Sequence, residues 1–294
     1  MAVTVEAAFN ELLNRLRASR AEAAIAASHR ESIRLKLERS FGMTQFFRSG
    51  SFGNGTNLSG ISDVDYFAVI PPENLNADSS ATLAAIAASL RERFPFTVGI
   101  RVNSPAVQVP FGLDGAEMTE IVPVLSTGTT VLGFRQFEMP DCNGGWMFSA
   151  PESHNAYVQK IDTRLNGRVK PLIRFLKAWK AYRNVDIRSF YLEMRAAAYA
   201  DNEQTIVYDI DLKRLFDTML NDGLADFPDP RFPNDGFMIS ACTTPFQRVG
   251  ALTALQRAKD WSDEAFSFRI AGQHERAFGR WDLIFNWNFP VFTG

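Results

Sequence analysis

The sequence predicts an α+β protein, a mixed α/β first half followed by a helical second half packed with it. Three observations carry this. Up to about residue 126, apolar stretches of strand length, broken by Gly, Pro and Asn, alternate with helical patterns. From about residue 156 onward, apolar residues recur at helical spacing. The 294 residues, 46% of them hydrophobic, suffice for one large domain or two intimate lobes with a proper core. The junction falls near residues 155–165.

Residues 4–40 read as helix, with Val5, Phe9, Leu12, Leu13 and Leu16 on one face. Polar residues around Ser28 to Ser32 leave one long helix or two open. Phe46 to Ser62 is loop-like, rich in Gly, Ser and Asn. Asp63 to Ile70, "DVDYFAVI", reads as a strand stopped by Pro71-Pro72. Ser79 to Phe94 is a helix, with Ser79 or Ser80 as N-cap. Phe96 to Gly112 offers two short strands broken by Asn103-Ser104-Pro105, and Ala116 to Ser126 another strand. Gly144 to His154 reads as irregular. Ala156 to Asn184 is helical, with a break at Asn166-Gly167. Further helices follow at Phe190 to Ala200, Asp209 to Leu220, Pro245 to Asp260 and Asp263 to Phe278.

Composition narrows the function. A formal net charge of -2 disfavours a protein that coats nucleic acid. Nucleic-acid binding is therefore not expected, and small-molecule substrates are. Cys142 and Cys242 form neither a disulfide framework nor a zinc pattern, and His29, His154 and His274 lack metal-ligand spacing. No apolar run reaches membrane-spanning length, so the expectation is a soluble, cytoplasmic protein without a membrane partner.

One stretch carries chemistry: "GSFGNGTNLSGISDVDYFAVI", Gly50 to Ile70. Residues two apart on a strand share a face, so Asp63 and Asp65 project together. Two carboxylates so close resist joint ionisation unless a divalent cation sits between them. Hard oxygen donors suit Mg²⁺ or Mn²⁺, ions that also bind substrate phosphates. Gly50-Ser51 would open a turn or helix whose N–H groups, with the Ser51 hydroxyl, grip a triphosphate, while Gly53 and Gly55 allow close backbone approach. About one Asp-x-Asp is expected by chance in a chain this long. Asp209-Ile-Asp211 is a second one; it lacks a Gly-Ser loop and reads as a helix start, where acids favour the dipole.

The pattern of Gly-Ser, Asp-x-Asp and a following strand resembles the signature of DNA polymerase β-like nucleotidyltransferases. The resemblance implies a mixed-sheet nucleotidyltransferase core with a third carboxylate from a later strand. Glu120 in "TEIVPVL" is the natural candidate, where the family more often has Asp; Glu117 and Asp114 are weaker alternatives. "VKPLIRFLKAWKAYRN" followed by "IRSFYLEMRAAAYA" is similar to the helical lobe of the oligoadenylate synthase and cyclic GMP-AMP synthase branch, in bacteria the CD-NTases of anti-phage signalling. By that likeness Lys177 contacts the donor triphosphate and Ser189 a phosphate or nearby backbone. The N-terminal helix becomes a spine. The resemblance implies that residues 1–160 form the nucleotidyltransferase core with that helix, and residues 161–294 a helical lobe completing the nucleotide pocket.

The implied activity is Mg²⁺-dependent (or Mn²⁺-dependent) synthesis of a cyclic di- or trinucleotide second messenger from NTPs, with release of pyrophosphate. The metals would be held by Asp63, Asp65 and Glu120, and the nucleotide by Gly50, Ser51, Lys177 and Ser189. The alternatives are a nucleotidyltransferase modifying RNA or a small molecule, an inactive nucleotide-binding relative, and an interaction protein with an accidental Asp-x-Asp. Lys170, Arg174 and Lys177 share a helix face and fit either a phosphate-facing stripe or a solvated surface. Trp179, Phe175 and Tyr66 read as packing residues. The final Gly294, read as ending a flexible tail, suggests conjugation or a regulatory partner, as the resemblance implies for some members of the family.

Overall fold

The structure is a computed structural model that describes residues 2–17, 20–112 and 117–294. The chain divides into two compact units, Ala18–Ala156 on the one hand and Met1–Arg17 with Tyr157–Gly294 on the other.

The first unit is a sheet with helices on one face. Strands β1 (Gln45–Arg48), β2 (Val64–Val69), β3 (Arg101–Asn103), β4 (Ala106–Phe111) and β5 (Glu117–Thr129) run in the order β1-β2-β5-β4-β3. β2 and β5 are parallel and the other pairs antiparallel, so the sheet is mixed. From Leu125 onward, β5 pairs with β6 (Arg135–Pro140), which pairs with β7 (Trp146–Ser149). Among the described residues the sheet thus has seven strands. Alternation sorts its faces. Val64, Tyr66, Val107, Val109 and Ile121 face helices α2 (Arg20–Phe41) and α4 (Ser79–Arg93), burying Ile33, Leu37, Leu83 and Ile86. Phe67, Val69, Val122, Val124 and Phe137 form a smaller cluster on the opposite face.

The second unit is helical. Its elements are α1 (Val5–Leu16), α6 (Val169–Tyr182), α7 (Ser189–Asp201), α8 (Tyr208–Asn221), α9 (Pro245–Ile270) and α10 (His274–Ile284), with a short hairpin of β8 (Phe227–Pro228) and β9 (Met238–Ile239). Helix α5 (Pro151–Arg164) spans the boundary between the units. The Phe9 ring meets Phe175 and Trp281 at 5.0 Å and Phe289 at 5.1 Å, all edge-on. Those aromatic contacts group α1 with the helical unit, whereas the expected 1–160 domain joins it to the nucleotidyltransferase core. The helical reading of residues 4–40 resolves into α1 and α2, the chain turning extended at Arg17.

Several expectations need correction. The N-cap of α4 is Asp78, whose carboxylate accepts from the Ser80 amide at 2.9 Å. The stretch before His154, expected to be irregular, contains β7 and the start of α5. Unlike these two, the expected break at Asn166-Gly167 is present, with φ of 56° and 73°.

Candidate active site

The Gly-Ser stretch begins where β1 ends. The Ser49 amide donates to the Asp65 carbonyl at 2.9 Å, continuing the β1–β2 ladder by one residue. Gly50 then turns at φ 52° into α3 (Gly50–Asn54), a single helical turn ended by Gly55 at φ 68°. A Cβ on residue 50 would lie 2.0 Å from Asp65 Oδ2, so a side chain here would have to displace the carboxylate. The loop returns to β2 through Leu58, which is buried, and through Ser62, whose Oγ accepts from the Leu58 amide at 2.9 Å.

The sheet register brings the acids together. Asp65 on β2 stands directly opposite Glu120 on the parallel strand β5. Adjacent strands lie about 4.8 Å apart. Phe67 and Val122 lie two residues further along each strand, so both acids share the face of the smaller cluster. Asp63 lies two residues before Asp65, and all three acids are half-buried. Glu117 goes elsewhere: it pairs with His29 at 3.2 Å, and the His29 ring stacks on Phe111. Asp114 lies outside the described residues.

The acid row continues into β4 and β3. Gln108 is opposite Glu120, and Arg101 is opposite Gln108. Gln108 Nε2 donates to Glu120 Oε1 at 2.8 Å, and Arg101 Nε donates to Gln108 Oε1 at 2.9 Å. Sequence reasoning missed both residues. The available signal was a glutamine inside the otherwise apolar strand "AVQVPF".

Among the described residues no three His, Cys, Asp or Glu side chains are gathered as a metal cage. In type the donors suit a hard divalent cation: Asp65 and Glu120 are register neighbours, and Asp63 precedes Asp65 by two residues.

In the helical unit, Lys177 is buried and its Nζ meets Glu193 Oε2 at 2.5 Å. Ser189 opens α7, and Lys180 Nζ donates to its Oγ at 3.0 Å. The stripe Lys170, Arg174, Lys177 is therefore no uniform solvated face. Lys170 donates to Gln159 at 2.6 Å, and burial lowers the pKa of Arg174. Phe175, Trp179 and Tyr66 are buried packing residues. The second acid pair is structural. Asp211 accepts from the Val207 amide and the Tyr199 hydroxyl, each at 2.5 Å. Asp209 meets Arg269 at 2.9 Å, and its pKa is raised by burial, which outweighs Arg269. The chain's final residues are held: Phe292 bridges Ala2 and packs on Phe278, and the Thr293 amide donates to the Ala2 carbonyl at 3.3 Å. That replaces the expected flexible tail at Gly294. Among the described residues no helix is long and apolar enough to cross a membrane.

Residues 3–162 match the family model described as "Second Messenger Oligonucleotide or Dinucleotide Synthetase domain". The chain is 25% identical over 230 residues to the cyclic AMP-AMP-AMP synthase of Acinetobacter sp. (strain ATCC 27244 / 9458), a match covering 73% of this chain and 62% of that protein. The chain thus spans less than two thirds of that relative's length. CdnC of E. coli MS115-1, solved with ATP, superposes with a TM-score of 0.74 at 19% identity over 96% of this chain and 98% of that one. Vibrio cholerae DncV cyclic AMP-GMP synthase, solved with the linear intermediate 5' pppA(3',5')pG, gives a TM-score of 0.77 at 12% identity over 96% and 94%. The fold is that of these two proteins.

Proposed function

The chain belongs to the Second Messenger Oligonucleotide or Dinucleotide Synthetase family, and on that premise we propose that it joins NTPs into a cyclic di- or trinucleotide, releasing pyrophosphate. The observation that carries the proposal is the Asp65–Glu120 register pair, overlain by the glycine turn at Gly50.

Asp63, Asp65 and Glu120 would hold Mg²⁺ or Mn²⁺. Once bound, the ions would lower the pKa of the acceptor ribose hydroxyl and neutralise the departing pyrophosphate. Gly50 and Ser51 keep the backbone of the turn open to a phosphate tail, since no side chain intervenes at position 50. The family likeness assigns Lys177 and Ser189 to nucleotide phosphates. Lys177 is paired with Glu193, and on the same helix Lys180, half-buried, donates to Ser189. Catalysis on this reading is positioning plus charge neutralisation. The relatives are nucleotide synthases, and a role in anti-phage signalling accompanies the proposal. Conjugation or a regulatory contact at Gly294 would first have to free the tail from Ala2.

The test is incubation with the four labelled NTPs and Mg²⁺, then phosphatase, then mass spectrometry of resistant products. A phosphatase-resistant oligonucleotide from wild type, absent with Asp63→Asn, is the expected result. Identical profiles from the two proteins would remove the carboxylate assignment, and a polymer-bound or phosphatase-sensitive product would move the reading to another acceptor.

A further inference from the structure

We propose that Gln108 is a positioning residue that aims the Glu120 carboxylate, and that Arg101 locks Gln108 in that role. The inference rests on the nucleotidyl-transfer reading and adds the part that orients its third acid.

Three strands carry the row at matched register, Arg101 on β3, Gln108 on β4 and Glu120 on β5. Gln108 is 7% exposed, so its amide needs partners for both ends. An amide can in principle be turned either way. Here chemistry decides, because an arginine side chain only donates. With Arg101 Nε on Gln108 Oε1 at 2.9 Å, Nε2 is forced toward Glu120, where it donates to Oε1 at 2.8 Å. A flipped amide would set a carbonyl oxygen against a carboxylate at one end and an NH₂ against a guanidinium at the other. Arg101 therefore fixes the amide, and the amide fixes one oxygen of Glu120.

This arrangement answers a need that a glutamate creates. Glu has one more rotatable bond than Asp, and a carboxylate on a longer stem must be restrained to meet a cation beside Asp65. The Gln108 donor supplies that restraint from the side away from Asp65, since β5 lies between β4 and β2.

The test titrates the full chain with Mn²⁺, reading free ion by electron paramagnetic resonance, and measures the Mg²⁺ concentration for half-maximal product formation. Partners that orient metal ligands are worth about 10–100-fold in metal affinity. Gln108→Leu should weaken Mn²⁺ binding about tenfold and raise the Mg²⁺ requirement in parallel. Arg101→Met should shift both in the same direction by less; Arg101 is exposed, so this variant decides the matter if Gln108→Leu fails to fold. Wild-type Mn²⁺ affinity in a folded Gln108→Leu and in Arg101→Met, with binding lost in Glu120→Gln, would overturn the role of Gln108 and leave the transfer reading standing. Unchanged Mn²⁺ binding in Glu120→Gln and Asp65→Asn as well would overturn the metal reading, and this inference with it.

Discussion

Gly50 and Gly60 both sit at positive φ, 52° and 66°, yet they differ in what a side chain would meet. At Gly60 nothing lies within 4 Å, whereas at Gly50 a Cβ would fall 2.0 Å from Asp65 Oδ2. Alanine at either position incurs the left-handed strain of about 1–2 kcal/mol. Only Gly50→Ala must also displace an acid assigned to the metals. Both variants should therefore melt at lower temperature, while product formation collapses in Gly50→Ala alone. Thermal melts alongside product assays check this. Equal activity in the two variants would mean that the close approach to Asp65 has no bearing on the chemistry. At this scale the candidate acids were legible as an Asp-x-Asp spacing, although β2 starts at Val64 and only Asp65 of the pair lies on the strand. Gln108 and Arg101 were not, because their importance comes from register across three strands that lie apart in sequence.

Helix α9 shows why element boundaries were harder to read than element types. Its polar stretch Asp260-Trp261-Ser262-Asp263 resembles a stop followed by a new N-cap, which predicts two helices. The structure has one helix of 26 residues. Ser262 Oγ donates to the Lys259 carbonyl at 2.8 Å, and Asp263 pairs with Lys213 and Lys259, each at 2.7 Å. The polar groups are satisfied by α9 itself and by Lys213 of α8, and the true stop is Gly272 at φ 72°. The β6–β7 hairpin was hidden for a related reason, as neither short strand carries a clean alternation of apolar and polar residues. Helices α6 and α7 were legible from periodicity, but the link between them was not. Lys177 on α6 and Glu193 on α7 form a buried ion pair. Removing one partner leaves an uncompensated buried charge, at a cost of about 3–5 kcal/mol. Lys177→Met should lower the stability of the helical unit by that amount in urea titration, and Lys177→Met with Glu193→Leu should recover most of it. A single Lys177 variant that loses activity at full stability would instead support the phosphate contact that family likeness assigns to it.

The molecule divides its labour between a sheet unit that carries the acids and a helical unit packed around aromatic rings. The two should respond differently to alkali. The chain has six tyrosines, and Tyr157, Tyr182, Tyr191, Tyr199 and Tyr208 belong to the helical unit. In all five, burial is the first cause of a raised pKa. For Tyr157 the value is pushed up to about 12 from 10.0, Asp201 adding to the effect of burial. The folded state holds phenolic protons that the unfolded chain gives up near pH 10. Stability from this source is therefore complete below pH 10 and falls as pH rises from there through the folded values. Urea midpoints followed by far-ultraviolet circular dichroism should decline between about pH 10 and 12, with tyrosinate absorbance rising together with the loss of helix. Tyr157→Phe, which cannot ionise, should make that decline shallower without changing the midpoint at neutral pH by more than its lost contacts require. Tyrosinate appearing well before helix is lost would show that these phenols ionise in the folded unit, and would remove burial as the source of its alkaline sensitivity.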